Sequence, residues 1–311
     1  VVNNHDLSLE SLTMGSTDDD PVVSVLVTVH NRAHYVGETL ASILKSSYRS
    51  FEIVVVDDCS TDDSLAVVRR AAECDTRIRV FANEKNLGDY GNRLRAASLA
   101  RGRFLKYVDS DDLIYPHTLN VMVDSMLTHP TAALGLSHRE PEAESPYPIF
   151  LSPREAWTKH FVGRGVLACG PTGAIFSREA FLQVGGFRPE WGVLSDIDLW
   201  LRLSARWPVV LLPPGLVWWR KHEGQEFRAG GAEWSYLTDG FRLAMESLQD
   251  AACPLTQEES SLAMNKARQH HARRLLALAL RKRRPGLAWA AFRESRLSLF
   301  ELFRGFLPYQ R

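Results

Sequence analysis

From Val22 the chain alternates β-branched runs with stretches of helical spacing, and the runs stop at polar clusters. Val22 to Val29 suits a buried strand, closed by His30-Asn31-Arg32. Val36, Leu40, Ile43 and Leu44 then share one helical face. Phe51 to Val56 reads as a second strand ending in Asp57-Asp58-Cys59-Ser60-Thr61-Asp62-Asp63, and Leu65, Val68 and Ala72 mark the next helix. Ile78 to Phe81, a helix over Asn92 to Ala100, and a strand over Arg103 to Val108 continue the alternation. This βαβ spacing implies a mainly parallel sheet with right-handed crossovers. Ligands should then gather at the carboxyl ends of the strands, where His30, Asp57-Asp58 and Asp109 to Asp112 fall.

The middle is less regular. Pro141 to Pro153 holds four prolines and reads as a loop or edge. Gly173 to Ser177 reads as a strand, Arg178 to Val184 as a short helix and Gly185-Gly186-Phe187 as a turn. Asp198 to Ala205 is again helical, and Val209–Leu212 and Leu216–Trp219 are short strands split by Pro213-Pro214-Gly215. Beyond about Phe227 only helices are expected. Apolar content of 45% and charged content of 24% over 311 residues are those of a globular protein and exclude disorder throughout. The scattered cysteines (Cys59, Cys74, Cys169, Cys253) form no CxxC pair, against a zinc site or disulfide framework. No run approaches the roughly 18 apolar residues of a membrane span, and the first twenty residues are acidic with no apolar signal core. The expectation is a cytoplasmic protein, at most peripheral at the inner membrane face.

Asp109-Ser110-Asp111-Asp112 places three carboxylates in four residues at the end of an apolar strand. Such a cluster repels itself unless a cation compensates it, and carboxylate oxygens suit Mg²⁺ or Mn²⁺, which keep positions open for phosphate oxygens. A metal-held pyrophosphate is one reading. The other is an acidic turn in which Asp111 or Asp112 caps a helix beginning near Tyr115-Pro116.

Several segments in order resemble the family-2 glycosyltransferases of the GT-A fold. Val25 to Arg32 resembles their first strand and its Tyr-Asn-Arg-like turn; Ile53 to Asp62 resembles the second strand with its Asp-Asp-x-Ser-x-Asp loop. Asn86-Leu87-Gly88 through Asn92 resembles an Asn-x-Gly segment, and Asp109-Ser110-Asp111-Asp112 the DxD metal motif. Gly185-Gly186-Phe187 with Ser195 to Arg202 is similar to a Gly-Gly-Phe and Glu-Asp-x-Asp-Leu-Trp-x-Arg segment, and Trp219 to Gly224 to a Tyr-Arg-x-His-x-Gly ending. The matches span about 200 residues, an ordered coincidence far more specific than any single motif.

The resemblance implies an α/β GT-A fold: a mainly parallel Rossmann-like sheet flanked by helices, with a C-terminal helical extension. The expected division is an acidic tail over 1–20, a catalytic domain over 21–226 (nucleotide half 21–115, acceptor half 116–226) and a basic helical extension over 227–311. It implies a metal-dependent, inverting glycosyltransferase that moves a sugar from a nucleotide-sugar, UDP-sugar favoured, to an acceptor hydroxyl. Asp112 is the main candidate metal ligand, joined by Asp111 and His222, with Asp109 and Asp111 also placed for ribose or water contacts; the cofactor is Mn²⁺ or Mg²⁺. Asp58 is expected to accept from the donor base, with Thr28, His30, Asn31, Arg32 and Asn92 lining the same crevice. Asp196 is the expected general base, while Ser195 stands where the family pattern has glutamate, which puts acceptor contacts of that carboxylate in doubt.

Other chemistries remain for these residues. Asp58 suits capping of a helix near Asp62, although Ser60 or Thr61 could do so equally well. His222 suits a structural partnership with the nearby tryptophans, or neutral metal ligation with Lys221 or Arg220 offsetting diphosphate charge. Gly173 suits either close backbone approach beneath the sugar or an ordinary turn. Trp191 suits ring stacking on donor or acceptor, or core packing. Asp198 reads as a first-turn helix residue. A sugar-phosphate nucleotidyltransferase would carry a Gly-rich, lysine-containing loop where this chain has His30-Asn31-Arg32-Ala33-His34. A sugar-nucleotide-binding protein without turnover is the non-enzymatic alternative.

The zero net charge hides a polarity: residues 262–311 hold 12 Lys/Arg against two Glu. Arginine-rich helices with Leu, Phe and Trp suit an anionic membrane surface, near a lipid-linked acceptor. They equally suit packing on the catalytic domain or homo-oligomer formation. Glycans and small molecules are the other acceptor classes. No nucleic-acid module accompanies the basic tail.

Overall fold

Strands Val23–Val29 (β1) and Phe51–Asp57 (β2) are buried along their whole length, as their unbroken apolar runs require. The computed structural model describes residues 20–137, 145–222 and 231–307. The expected tail up to residue 19, part of the Pro141–Pro153 stretch, Glu223-Gly224 and the 226/227 boundary lie outside the described residues.

In chain order the elements after β1 are α1 (Ala33–Leu44), β2, α2 (Ser64–Cys74), β3 (Ile78–Ala82), α3 (Asp89–Ser98), β4 (Phe104–Tyr107), β5 (Leu113–Ile114), α4 (Thr118–Thr128) and β6 (Leu134–Ser137). Then come β7 (Ile149–Leu151), α5 (Pro153–Phe161), β8 (Ala174–Ser177), α6 (Arg178–Gln183), α7 (Ser195–Arg206), β9 (Val209–Leu212) and β10 (Val217–Trp218). The chain closes with α8 (Ala232–Gln249), α9 (Gln257–Leu280), α10 (Pro285–Ser295) and α11 (Leu299–Arg304). Eight strands form one sheet in the order β3-β2-β1-β4-β8-β6-β9-β7, while β5 and β10 pair separately. β3, β2, β1 and β4 are mutually parallel, with Val23 opposite both Phe51 and Phe104. β8 is antiparallel to β4 and β6, and β7 is antiparallel to β9.

Alternation along each strand sorts side chains between two cores. Val23, Val25, Val27, Ile53 and Val55 pack with Val36, Leu40 and Ile43 of α1 and Met122 of α4. Leu26, Val54, Val56, Leu105 and Tyr107 pack on the other face with Ala96 and Ala97 of α3 and Leu199 and Trp200 of α7. The expected α/β architecture is therefore present; Val29 and Asp57 end β1 and β2 side by side, and β4 ends at Tyr107 opposite Leu26, so that the 108–112 segment runs on along the same edge. Three short strands, β5, β6 and β7, and helix α5 go beyond the sequence reading; the two to four residues of each strand give too little periodicity to register.

Helix starts shift relative to expectation. The helix expected from Asp198 begins at Ser195, which places Asp196 and Asp198 together in its first turn. Neither Asp111 nor Asp112 caps α4, whose N-cap is His117 without a side-chain bond, and Asp58 does not cap α2. Their carboxylates are thus committed elsewhere. The tail helices divide in two. Leu243 and Leu248 of α8 and Ala263 of α9 join the main core, whereas the far half of α9 with α10 forms a satellite cluster around Leu275, Leu278, Ala288 and Ala291. The tail helices also meet the body through Glu259 of α9 and Arg154 of α5, 2.9 Å apart, a pair whose charges run opposite to the acidic-body, basic-tail asymmetry.

Candidate active site

Three parallel strand tips and the start of α3 enclose a cleft of about 480 Å³ lined by Thr28, His30, Arg32, Asp58, Asn86, Asn92, Arg93, Asp109 and Asp111, among others. This lies at the carboxyl edge of the sheet, as the parallel topology demands.

One wall is built by Asp58. Its Oδ1 accepts from Asn83 Nδ2 (2.7 Å) and the Leu87 N–H (2.8 Å), and its Oδ2 from the Gly88 N–H (3.0 Å). The carboxylate therefore shapes the 86–88 loop, and only Oδ2 retains capacity toward a ligand base. His30 Nδ1 lies 2.9 Å from the Asp58 carbonyl, which makes that nitrogen the donor and leaves Nε2 as an acceptor. Asn31 adopts φ 53° and its Oδ1 accepts the Thr61 N–H at 2.8 Å, fastening the first strand's turn to the second's. Asn92 is spent on structure: Nδ2 donates to the Val56 carbonyl (3.0 Å) and Oδ1 accepts from Asn83 (3.1 Å).

Next to Asn92, α3 also gives the cleft Arg93, which the sequence reading missed. Nε donates to Asp89 (2.9 Å) and Nη2 to Asp109 (2.8 Å), while Nη1 has no hydrogen-bond partner although it is buried. Its guanidinium also lies 5.5 and 5.4 Å from the ring centroids of Tyr90 and Tyr107. Burial opposes its charge, but Asp89 and Asp109 outweigh burial and hold it firmly protonated. The i, i+4 spacing of Asp89 and Arg93 was the available signal.

At the acidic turn, Asp111 Oδ2 meets Arg32 Nε at 3.1 Å and His222 Nε2 at 2.9 Å. Asp112 is 2% exposed and its Oδ1 accepts the Arg220 N–H at 3.0 Å. Burial first, then Asp109, pushes the Asp112 carboxyl up to about 7. Arg220 acts as a clamp rather than an open cation: Nε donates to the Asp111 carbonyl (2.8 Å), Nη2 to Glu38 (2.6 Å), and the guanidinium lies 5.0 Å from the rings of Tyr35 and Trp218. Lys221 is exposed beside it. The His222 ring packs on Tyr35 with centroids 4.8 Å apart.

These donors suit a hard divalent cation in kind, being crowded carboxylates plus an imidazole with too little positive charge around the buried Asp112. They are not gathered into a ready cage: among the described residues no three His, Cys, Asp or Glu side chains stand in metal-holding geometry. Binding would have to draw Asp111 and Asp112 toward a shared ion.

Beneath the turn, Thr172 accepts the Asp109 N–H through Oγ1 (3.1 Å), and the buried Lys106 donates to the carbonyls of Thr172 and Tyr107. Gly173 is dictated by packing: a Cβ there would strike Cys169 Sγ and lie 2.9 Å from the Ser137 carbonyl. Trp191 is half-buried, with the Arg242 guanidinium 4.8 Å from its ring.

Asp196 is buried in the first turn of α7, its Oδ1 accepting the Ile197 N–H at 2.7 Å. Burial pushes its carboxyl up to about 7; the Ile197 N–H and Arg93 oppose this, and Asp109 and Asp89 add to it. It therefore lies within electrostatic reach of the Arg93–Asp109 pair. Ser195 turns inward, its hydroxyl 2.7 and 2.8 Å from the carbonyls of Arg188 and Gly192. Asp198 pairs with Arg202 at 2.7 Å, and Arg202 also donates to the carbonyls of Val184 and Gly186. That pair staples the Gly185-Gly186 turn, where both residues have positive φ.

A family model described as Glycosyl transferase family 2 matches residues 24–185, just over half of the chain. The chain is 34% identical over 109 residues to the Escherichia coli UDP-Glc:alpha-D-GlcNAc-diphosphoundecaprenol beta-1,3-glucosyltransferase WfgD, covering 35% of this chain and 42% of that protein. Among solved structures, S. aureus TarS 1-349 superposes with a TM-score of 0.67 at 20% identity, over 88% of this chain and 79% of that one. The mannosyltransferase PcManGT from Pyrobaculum calidifontis, in complex with GDP-Man and Mn²⁺, gives 0.57 at 19% identity, over 92% and 85%. These structural likenesses speak to the fold. The chain spans 65, 38 and 42% of the lengths of three curated relatives it matches.

Proposed function

The chain belongs to glycosyl transferase family 2, and from that premise we propose that its cleft binds a nucleotide-sugar and transfers the sugar to an acceptor hydroxyl with inversion. The observation that carries this reading is the meeting, at one strand tip, of Asp109 with Arg93 and of Asp111 with Arg32 and His222, beside the buried Asp112. Acidic and cationic groups held together in that way match a diphosphate bound with a divalent cation.

Asp111, Asp112 and His222 would hold Mn²⁺ or Mg²⁺, which when bound supplies charge stabilisation to the departing diphosphate. Arg93 Nη1, buried without a partner at the cleft, is the protein's own donor for that charge. Thr28, His30 and Asp58 Oδ2 form the wall suited to the nucleoside. Asp196 takes the proton from the acceptor hydroxyl as oxygen attacks the sugar carbon, and its raised carboxyl pKa suits a base working near neutrality. UDP-sugar is the favoured donor: TarS has been crystallised with UDP-GlcNAc, and the name of WfgD specifies UDP-Glc. That name also supports a diphosphate-lipid acceptor. Residues 21–226 would then be the catalytic unit and 227–311 an extension fastened to it through α8 and α9. The test is release of UDP from a panel of UDP-sugars with Mn²⁺ and a diphosphate-lipid acceptor. Turnover that chelation abolishes is expected, and the absence of donor binding under all conditions would overturn the reading.

A further inference from the structure

The last two helices carry apolar side chains that the fold does not cover. Phe300, Phe303 and Phe306 are 73, 66 and 60% exposed, and Leu299 and Leu307 are 60 and 56% exposed. Single exposed hydrophobes are ordinary, but five within nine residues form a patch. Positions 299, 300, 303, 306 and 307 follow helical spacing and fall on one face of α11 and the turn after it.

The orientation is fixed by the opposite face. Leu302 packs against the satellite core, and a Cβ on Gly305 would lie 2.9 Å from Leu276 Cδ1 and 3.1 Å from the Ala272 carbonyl carbon. Only a residue without a side chain lets the end of α11 come so close to α9. Arg273 Nε and Gln269 Nε2 then bind the Gly305 and Arg304 carbonyls, both at 3.1 Å. The phenylalanines are therefore turned outward by specific contacts. On α10, Ala288 and Ala291 face inward while Trp289 is 58% exposed, next to exposed Arg293 and Arg296.

We propose that the outer faces of α10 and α11 dock the protein on an anionic lipid bilayer, inserting the phenylalanine face at the headgroup boundary with arginines meeting the lipid charge. Charge selects this occupant. Residues 262–311 hold 12 Lys/Arg against two Glu, so an isologous dimer across this face would bring two strongly positive surfaces together. An acidic membrane neutralises the same surface, and aromatic side chains with arginines are what an interfacial helix uses. Among the described residues no helix is long and apolar enough to cross a membrane, so contact through these faces would be peripheral. Docking needs no sugar transfer, so it and the catalytic reading stand or fall separately.

The test is flotation of the full chain with vesicles of pure phosphatidylcholine and with vesicles about one third phosphatidylglycerol. Binding to the anionic vesicles alone, weakened by high salt, is expected. Phe300→Ser with Phe303→Ser should lower it about tenfold or more, with an unchanged circular dichroism spectrum and unfolding midpoint showing that the variant is folded. A second variant, Arg293→Gln with Arg296→Gln, should weaken binding without touching the apolar face. Equal flotation of wild type and both variants would overturn the proposal, as would no binding to anionic vesicles. Sedimentation showing a dimer that the phenylalanine variant splits would assign the face to a second copy instead.

Discussion

Replacing Asp196 with Asn should stabilise the protein while removing its turnover. The carboxyl is pushed by burial from an ordinary 3.8 up to about 7 in the folded state. Folding therefore favours the protonated form, and the native state binds more protons than the unfolded chain between those values. The contribution of Asp196 to stability is greatest below about pH 4, falls as pH rises through that window, and is least above about 7. That rise corresponds to a penalty on the order of 4 kcal/mol for the ionised group. Asparagine has the same shape, keeps the oxygen that accepts the Ile197 N–H, and carries no charge. Urea denaturation of wild type and Asp196→Asn at pH 5 and pH 8 measures this directly. The variant should gain at pH 8 a margin approaching that penalty, with a much smaller gain at pH 5. Transfer by the wild type should rise with an apparent pKa near 7 and vanish in the variant. Equal stabilities at pH 8 would refute the reasoning, because the buried charge would then cost nothing.

Asp112→Asn should abolish the Mn²⁺-dependent part of UDP affinity, read by thermal shift: a ligand at a hundred times its dissociation constant adds about 2.7 kcal/mol to the wild type, and the variant should lose most of it. Arg93→Met leaves Asp89 and Asp109 without their cation; destabilisation of about 3–5 kcal/mol and weakened UDP binding are expected by denaturation and calorimetry. Gly173→Ala should cost about 1–3 kcal/mol from overpacking against Cys169 and Ser137, seen as a lower denaturation midpoint. Thr172→Val removes the acceptor of the Asp109 N–H, so a loss of about 1–3 kcal/mol with reduced turnover should follow.

The parallel half of the sheet was legible because β1 and β2 are unbroken β-branched runs whose ends carry the polar residues. The acidic turn was legible for the same reason, since a strand delivers its next residues to the sheet edge. Arg93 was not legible because its second carboxylate, Asp109, lies sixteen residues away and meets it only once β4 is placed beside α3. Arg220 looked like a phosphate cation from its charge, but Tyr35, Glu38 and Asp111, which hold it, come from segments far apart in sequence. Asp58 shows the same limit: the loop it orders is close only after β2 and α3 are placed. The tail was legible as basic and apolar helices, while its division into a packed half and an uncovered half depends on where α9 leaves the body.

The most direct test of the central claim is a crystal grown with UDP and Mn²⁺. The account predicts the diphosphate between the Asp109–Asp112 turn and Arg93, with the metal on Asp111, Asp112 and His222 and the uridine against Thr28 and Asp58. A nucleotide bound away from the tips of β1, β2 and β4, or these carboxylates without metal at saturating manganese, would contradict it.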